Sequence, residues 1–403
     1  MNVNAKRDNS RIKEIEIMDC TLRDGEQTNG VSFLPHEKLM IARMLLHDIN
    51  VDRIEVASAR VSEGEKDAVA RICRYAKTIG KLDSVEVLGF VDNNKSVDWI
   101  AECGGHVINL LAKGSCKHCT QQLKMSPEEH LAHIKQTIDY ALSKNFTVNL
   151  YLEDWSSGMR DSRDYLFMMM DELVKLPIKR FLLPDTLGIL NPLQCVEYMR
   201  QMVRRYPNSH FDFHAHNDYD LAVSNSLAAV LSGAKGLHVT VNGLGERCGN
   251  APLASVQVIL KDMFGAKTNI KEDRLNDISQ LVEGYSGIAV APNTPVVGDN
   301  VFTQVAGVHA DGDNKDKLYC NDLVPERFGR HREYALGKNS GKANIVQNLN
   351  ELGLELTPEQ TKAVTKRITE LGDRKELVTQ DDLPYIVSDV LKHSTPEDKV
   401  KLV

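Results

Sequence analysis

Apolar runs of strand length recur through the first two-thirds of the chain, and segments with the apolar spacing of an amphipathic helix separate them. Eight runs predict strands: residues 14–22, 53–58, 84–90, 107–112, 147–154, 179–186, 210–217 and 236–244. Strands that alternate with helices indicate a parallel sheet covered by helices. Eight such units in about 250 residues predict a closed TIM (β/α)8 barrel. An open, doubly wound sheet is the alternative, and it is disfavoured because no Gly-rich fingerprint follows the first strand.

The pattern changes after about residue 284. Residues 284–341 are rich in Gly, Pro and Asn and show no helical period, whereas residues 342–403 again have helical spacing. We therefore predict an N-terminal arm at 1–13, a catalytic barrel at 14–283, a linker subdomain at 284–341 and a helical subdomain at 342–403. The expected fold class is α/β, a TIM barrel with an appended and mostly helical C-terminal region.

Composition narrows the function classes. The formal net charge is −7, so the sequence gives no sign of a nucleic-acid partner. Apolar runs stay short of the roughly 20 residues of a membrane span, and residues 1–13 lack the apolar stretch of a secretory signal. Eight scattered cysteines are typical of reduced thiols, and we expect a cytoplasmic protein. The lone C-x-x-C at Cys116 and Cys119 is a weak signal for zinc or redox chemistry.

Polar side chains fall at or near the carboxyl ends of the predicted strands. They are Arg23, Asp24, Glu55, Glu153, Asp185, Thr186, His214, His216 and Asn250. In a (β/α)8 barrel these ends meet at one face, where the loops after the strands build the active site. We therefore expect these residues to form the functional site.

His214 and His216 form an H-x-H pair on one predicted strand. The strand period of two places both imidazoles on one face, and a carboxylate from a neighbouring strand end completes a divalent-metal half-site. Asp24 is the predicted carboxylate, and Asn250 can add an amide oxygen. This donor set suits Mn²⁺, Mg²⁺, Zn²⁺ or Co²⁺ and does not choose among them. The alternative is that the two histidines bind no metal and only form hydrogen bonds with polar neighbours at the barrel mouth.

Arg23 stands beside Asp24 in the stretch "MDCTLRDGEQTNG". An arginine keeps its charge at physiological pH and offers its donors in a rigid fork. Arg23 is therefore predicted to stabilise an oxygen that becomes anionic during a reaction, while Asp24 holds the metal. A structural ion pair within the loop is the alternative that the motif leaves open.

Three long segments resemble the signatures of a known family: "MDCTLRDGEQT", "FHAHNDYDLAVSNSLAAVLSGA" and "VNGLGERCGNAPL". The family is that of the acetyl-CoA-dependent 2-oxo acid aldol synthases, which comprises 2-isopropylmalate, homocitrate and citramalate synthases. The resemblance covers about residues 14–393, and segments such as "NLYLEDWSSG" most resemble the (R)-citramalate synthases. It implies that acetyl-CoA adds its methyl carbon to a 2-oxo acid, after which the thioester is hydrolysed.

The resemblance also implies roles for individual residues. Asp24, His214 and His216 match the metal ligands of the family, and Asn250 matches a position next to the ion. The ion would chelate the keto and carboxylate oxygens of the substrate. Arg23 would lie over the same keto oxygen as it becomes an alkoxide.

Further positions match groups around the reacting carbons. Glu55 corresponds to a glutamate near the arginine, Thr186 to the residue that binds the substrate carboxylate, and Glu153 to a carboxylate that orders the acetyl group. His309 matches a base that a partner subunit contributes in a homodimer, and Tyr319 matches a tyrosine that assists it. Without the resemblance, His309 would be interpreted as an exposed loop histidine.

Substrate choice depends on Leu88, Leu111 and Tyr151, which match the residues that line the substrate side chain in the family. Their bulk favours the methyl group of pyruvate, and hence (R)-citramalate and isoleucine biosynthesis. The runner-up is 2-isopropylmalate synthase, which uses 2-oxoisovalerate in leucine biosynthesis. 2-Oxoglutarate is disfavoured because these positions hold no cation, and because homocitrate synthases usually carry Glu in place of Asp24.

Two other classes are weaker alternatives: a lyase like hydroxymethylglutaryl-CoA lyase and a non-catalytic metal-binding scaffold. The lyases usually lack the appended region and carry a Cys-bearing Gly-rich loop that "GLGERCGNAPL" does not reproduce. A non-catalytic scaffold would be expected to lack at least one of the catalytic residues, and none of them is missing here. The chain ends at Val403, about where the regulatory domain of the family would begin, so we expect no isoleucine or leucine site within it.

Overall fold

The computed structural model describes residues 14–315 and 317–392. The chain divides into two compact units between Val290 and Ala291. The predicted arm at 1–13 and the last part of the predicted helical subdomain, 393–403, lie outside the described residues. Among the residues that are described, no helix has the length and apolar character needed to cross a bilayer.

The first unit contains eight parallel strands that close into a barrel in sequence order, with the last strand pairing with the first. The strands are β1 (Glu16–Asp19), β2 (Arg53–Ser58), β3 (Val85–Phe90), β4 (Val107–Lys113), β5 (Thr147–Glu153), β6 (Arg180–Asp185), β7 (Phe211–Ala215) and β8 (Gly236–Val239). Each lies within or overlaps one predicted run. The predicted TIM (β/α)8 fold is therefore confirmed.

One or two helices follow each of these strands. They are α1 (Pro35–Arg43), α2 (Glu63–Thr78), α3 (Lys95–Glu102), α4 (Pro127–Ser143), α5 (Trp155–Asp161), α6 (Arg163–Leu173), α7 (Pro192–Arg205), α8 (Ala222–Leu231), α9 (Leu253–Phe264) and α10 (Leu275–Ser286). Their starts follow local chemistry. In α4, for example, Ser126 Oγ accepts from the Glu129 N–H at 3.2 Å, while Glu129 Oε2 accepts from the Ser126 N–H at 2.8 Å. This reciprocal pair satisfies two backbone donors that the helix itself leaves unpaired.

The barrel interior carries charge. Arg53 on β2 donates to Glu86 on β3 at 3.2 Å and forms a short ion pair with Asp212 on β7. Because β2 and β7 are not neighbours in the barrel, the second contact crosses its interior. All three side chains are buried, and a buried charge is tolerated only when it is paired in this way. These three ion-paired side chains fill the barrel interior on the amino-terminal side of the residues at the carboxyl ends of the strands.

The second unit contains a two-stranded sheet, β9 (Thr303–Gln304) and β10 (Glu333–Tyr334), and the helices α11 (Gly307–Asn314), α12 (Lys342–Glu351), α13 (Pro358–Asp373) and α14 (Leu383–Lys392). Its core is aliphatic and consists of Leu336, Ile345, Leu349, Val364, Ile368, Leu371, Val378, Leu383 and Val387. Helix α11 was not predicted, because its sequence "GVHADGDN" has no apolar period. The helical character of the region is otherwise as expected.

Candidate active site

A cavity of about 210 Å³ opens at the carboxyl ends of the barrel strands. Nine of the predicted site residues line it: Arg23, Asp24, Leu88, Leu111, Tyr151, Glu153, Thr186, His214 and His216. Glu55 and Asn250 lie in the same unit, outside this lining, whereas His309 and Tyr319 belong to the second unit. The strand ends thus bring most of the predicted side chains around one space.

Asp24, His214 and His216 converge at the base of this cavity. Asp24 Oδ2 lies 3.1 Å from His214 Nε2 and 3.8 Å from His216 Nε2, and the two Nε2 atoms are 3.4 Å apart. One ligand atom from each residue lies within 4.8 Å of the other two. All three side chains are buried, so the group has the compactness and the low exposure of a metal half-site.

Unsatisfied polar atoms in the same group fit a cation. Asp24 Oδ1 and Asn250 Oδ1 are buried and have no hydrogen-bond partner among the described residues. Asn250 donates its amide N–H to the Leu244 carbonyl at 3.1 Å, which leaves the amide oxygen as an acceptor. Buried oxygens normally have partners, and hard oxygen atoms are ligands that Mg²⁺ and Mn²⁺ accept. The donor set therefore fits a divalent metal ion.

Protonation in the group also favours a metal. Burial lowers the pKa of His214, and burial followed by the neighbouring His214 lowers the pKa of His216 to about 4. Burial alone would raise the pKa of Asp24, but the Arg23 guanidinium and the two histidines hold it well below the usual range. Neutral imidazoles and an ionised carboxylate are the forms that bind a metal, since protons compete for the same lone pairs.

The loop after β8 places Asn250. Gly249 has φ +82°, and a Cβ there would lie 1.9 Å from the Gly243 carbonyl oxygen, so only glycine fits this position. The Asn250 N–H donates to the same Gly243 oxygen at 3.0 Å, and Asn250 forms a bridge with His216. The segment "GLGERCGN" thus folds into a tight loop that holds Asn250 against the end of β7.

Arg23 is fixed on three sides. Its Nε donates to Glu55 Oε2 at 2.6 Å, its Nη1 to Asp24 Oδ2 at 3.0 Å, and its Nη2 lies 3.4 Å from Tyr151 Oη. Glu55 is itself buried and accepts from Asn109 Nδ2 at 2.8 Å. Glu55 therefore orients the guanidinium from beneath, and Arg23 presents a fixed positive charge to the cavity.

One backbone hydrogen bond holds the Thr186 hydroxyl oxygen. Its Oγ1 accepts from the Asp154 N–H at 2.9 Å, so its hydroxyl hydrogen remains available to donate. Asp154 reaches this position with a left-handed backbone, φ +62°, which is uncommon for a residue other than glycine. Thr186 lines the cavity and can give this hydrogen bond to a ligand oxygen.

The apolar wall consists of Leu88, Tyr151 and Leu182, with the half-buried Leu111 packed against them. Tyr151 Oη lies 3.1 Å from His238 Nδ1 and 3.4 Å from Glu55 Oε2. Since these partners are fully buried in the barrel, the tyrosine turns its hydroxyl away from the cavity mouth and its ring forms part of the wall. The wall reduces the space for a ligand side chain.

His309 and Tyr319 lie together in the second unit. Their rings stack with centroids 4.3 Å apart and planes inclined by 29°. His309 is on α11 and is partly exposed, and Tyr319 is 47% exposed, so both rings are accessible to a ligand.

Lys113 is a further charged residue beside the cavity, and it was not among the predicted site residues. This residue ends β4 and forms a short ion pair with Glu153, its register partner at the end of β5. The predicted strand stopped at residue 112, one residue before it. The rule that polar residues at strand ends build the site would have found Lys113 if the strand end had been predicted correctly.

Two regions match family models. Residues 14–282 match the HMGL-like family, and residues 296–376 match the homocitrate synthase post-HMGL domain-like family. The chain belongs to the HMGL-like family, which confirms the predicted relationship. The first match spans the barrel strands and the second spans most of the appended unit.

Among curated relatives, the 2-isopropylmalate synthase of Methanocaldococcus jannaschii is 38% identical over 96% of this chain and 73% of its own length. The (R)-citramalate synthase CimA of the same organism is 34% identical over 96% of this chain and 77% of its own length. The homocitrate synthase AksA of Methanopyrus kandleri is 36% identical over 96% and 94%. Three relatives of similar identity to this chain therefore carry three different synthase names.

Solved structures share the barrel. The hydroxymethylglutaryl-CoA lyase of Pseudomonas aeruginosa matches with a TM-score of 0.61 and 19% identity, over 69% of this chain and 95% of the other. The HMG-CoA lyase of Bacillus subtilis matches with a TM-score of 0.60 and 23% identity, over 69% and 95%. At these identities the likeness concerns the fold alone.

Proposed function

We propose that this chain condenses acetyl-CoA with pyruvate to give (R)-citramalate and CoA. The observation that carries the proposal is a single cavity lined both by Arg23 and the Asp24 group and by the apolar side chains of Leu88 and Leu111. A polar base and a crowded wall suit a small 2-oxo acid, whose two oxygens need charge and whose side chain needs little space.

The base of the cavity binds the 2-oxo acid. Asp24, His214 and His216 would hold a divalent cation, with Asn250 beside them, and such a cation supplies Lewis-acid chemistry for a carbonyl group. Arg23 donates to the keto oxygen and stabilises the charge that develops on it. Thr186 donates its hydroxyl hydrogen to the carboxylate of the substrate, which fixes the orientation of the molecule.

The acetyl group is activated by proton removal. A base takes a proton from the methyl carbon, that carbon forms a bond with the keto carbon of pyruvate, and the keto oxygen ends as a hydroxyl. Water then cleaves the thioester and releases CoA. Glu153 orders the acetyl group, and His309 of a partner subunit in a homodimer serves as the base, assisted by Tyr319.

The wall selects the substrate. Leu88, Leu111 and Tyr151 line the cavity, and their bulk favours a substrate with a small side chain such as the methyl group of pyruvate. Among the described residues that line the cavity, Arg23 is the one lysine or arginine, and it is held by Glu55 and Asp24. A second carboxylate, as in 2-oxoglutarate, would therefore lack a cation. The competing candidate is a 2-isopropylmalate synthase, supported by the relative with that name.

A thiol-release assay tests the proposal. The purified chain is incubated with acetyl-CoA, Mn²⁺ or Mg²⁺, and one of a panel of 2-oxo acids, and free CoA is measured over time. Release that depends on pyruvate supports the proposed function. Release with 2-oxoisovalerate alone would assign the chain as a 2-isopropylmalate synthase, and no release with any acid would contradict a synthase.

A further inference from the structure

Lys113 lies behind Glu153 at the rim of the cavity. The lysine side chain is 9% exposed, whereas the glutamate side chain is 24% exposed and lines the cavity. The ammonium group contacts Glu153 Oε2, so within the described part of the chain Oε1 is the oxygen that remains for a ligand. Lys113 therefore touches Glu153 without lining the cavity itself.

The backbone of Lys113 is fixed independently of this ion pair. Its N–H donates to His130 Nε2 at 3.0 Å, and its carbonyl accepts from Tyr165 Oη at 2.9 Å. Burial lowers the pKa of His130 to about 4, so the ring is neutral and Nε2 keeps the lone pair that this contact needs. The ends of β4 and β5 are thus held without any contribution from the lysine ammonium group.

The next residue closes the strand ends further. The Gly114 N–H donates to the Glu153 carbonyl at 2.6 Å, and a Cβ at Gly114 would lie 2.6 Å from the Leu152 carbonyl oxygen. Only glycine permits this approach, and it sets Lys113 directly beside Glu153. The ammonium–carboxylate contact then has one main effect, which is to fix the rotamer of Glu153.

We infer that Lys113 is the positioning residue that orients Glu153 toward the acetyl group of acetyl-CoA. The inference rests on the proposed function for the role of Glu153. The charge-assisted hydrogen bond from Lys113 to Oε2 restricts the rotamer of Glu153, so that Oε1 meets the thioester substrate in one geometry. Lys113 does not line the cavity itself, so we expect binding of the 2-oxo acid to depend little on this contact.

Kinetics of Lys113→Met test this inference. We expect kcat/KM for acetyl-CoA to fall about tenfold or more, while KM for the 2-oxo acid stays within about twofold of the original. Lys113→Arg should recover most of the loss, because a guanidinium can make the same contact. Lys117→Met, an exposed lysine in the segment that follows β4, is the matched control and should leave the kinetics unchanged.

A double-mutant cycle with Glu153→Gln separates positioning from general support of the fold. If Lys113 acts through Glu153, Lys113→Met should add little to the defect of Glu153→Gln. Additive losses, or a Lys113→Met enzyme with unchanged kinetics for acetyl-CoA, would overturn the inference. An unmutated enzyme that releases no CoA with any 2-oxo acid would instead contradict the proposed function, so the two failures are distinguishable.

Discussion

Arg23 and Glu55 form an ion pair that joins the loop after β1 to the second strand of the barrel, with Nε 2.6 Å from Oε2. The Glu55 side chain is fully buried, and the Arg23 side chain is 9% exposed at the cavity. An arginine held in this way needs no reorganisation when an oxygen beside it gains charge. The ion pair therefore explains why an arginine follows the first strand.

Removing the positive charge of Arg23 should lower kcat more than it weakens binding of the 2-oxo acid. Arg23→Ala is expected to lower kcat by about 10²–10³-fold, because a preorganised donor to a developing oxyanion is lost. The KM for the 2-oxo acid should change far less. Glu55→Gln keeps the arginine but holds it less firmly, so we expect a smaller decrease in kcat than for Arg23→Ala.

Steady-state kinetics with both substrates measure this effect. Arg71→Ala removes an exposed arginine that pairs with Asp67 on α2, and it is the control. An Arg23→Ala enzyme with unchanged kcat would exclude the guanidinium from the reaction.

Metal binding should depend on Asp24. Asp24→Asn removes the one carboxylate of the three-residue group, and we expect the affinity for Mn²⁺ to fall by at least about tenfold. Isothermal titration of the metal-free protein measures this without reference to activity. Asp161→Asn, at an exposed position, should bind as the unmutated chain does. Equal Mn²⁺ affinity in the Asp24→Asn protein would show that the ion binds elsewhere.

The fold followed from the sequence because strand length and alternation were clear. Helix α11 was missed in the second unit, and the larger errors in the barrel fall at the carboxyl ends of strands, where backbone groups leave the ladder for loop contacts. Residues 20–22 were predicted as strand, for example, but the Cys20 carbonyl accepts from the N–H groups of Arg23, Asp24 and Gly25. A tight turn of this kind is set by tertiary contacts that periodicity does not report.

The site was harder to predict where contacts cross between strands. Asp24 and the two histidines could be named, because strand ends in a barrel share one face. Lys113 and Asp154 were missed for different reasons. The predicted β4 stopped one residue before Lys113, whose pairing with Glu153 depends on the register of β4 with β5. Asp154 acts through a left-handed backbone that lets its N–H reach Thr186. Neither register nor such a φ value can be derived from residue types alone.

Shortening the wall should change substrate preference. Leu111→Ala enlarges the cavity beside Leu88 and Tyr151, and we expect the ratio of kcat/KM values to shift toward 2-oxoisovalerate by about 10–200-fold. Competition between pyruvate and 2-oxoisovalerate, with products separated by chromatography, measures the ratio. Leu193→Ala, an exposed leucine at the start of α7, is the control. An unchanged ratio would mean that Leu111 does not contact the substrate side chain.

The proposed base can be tested by mixing two inactive variants. His309→Ala and Arg23→Ala should each have little activity alone. If His309 acts in the cavity of a partner subunit, exchange in a 1:1 mixture gives heterodimers with one complete site, and about a quarter of full activity should return. A mixture of His309→Ala with Tyr319→Ala is the matched control and should not recover, since both defects then lie in the same contributed segment. Absence of recovery in the first mixture, after exchange is shown by tagged subunits, would contradict a shared site.

Stability should fall in mild acid partly through His130. Burial, with smaller effects from Lys113 and His133, lowers the folded-state pKa of His130 to about 4, against about 6.5 in an unfolded chain. Between these values the unfolded state binds the proton first, so the free energy of unfolding decreases as pH falls through 6.5 and is unaffected by this group above it. From pH 7.5 to 5.0 the contribution of His130 amounts to about 2 kcal/mol. His130→Gln should lose less stability over this range than the unmutated chain by about that amount.

Urea unfolding followed by tryptophan fluorescence measures the difference, since Trp99 on α3 and Trp155 on α5 both report on the barrel unit. His47→Gln is the control, because the His47 side chain is 67% exposed. An equal pH dependence in His130→Gln and the unmutated chain would show that His130 takes up its proton without unfolding. A protonated His130 could not accept the hydrogen bond from the Lys113 N–H. The backbone at Lys113, on which the proposed orientation of Glu153 depends, would then have to be held by other contacts.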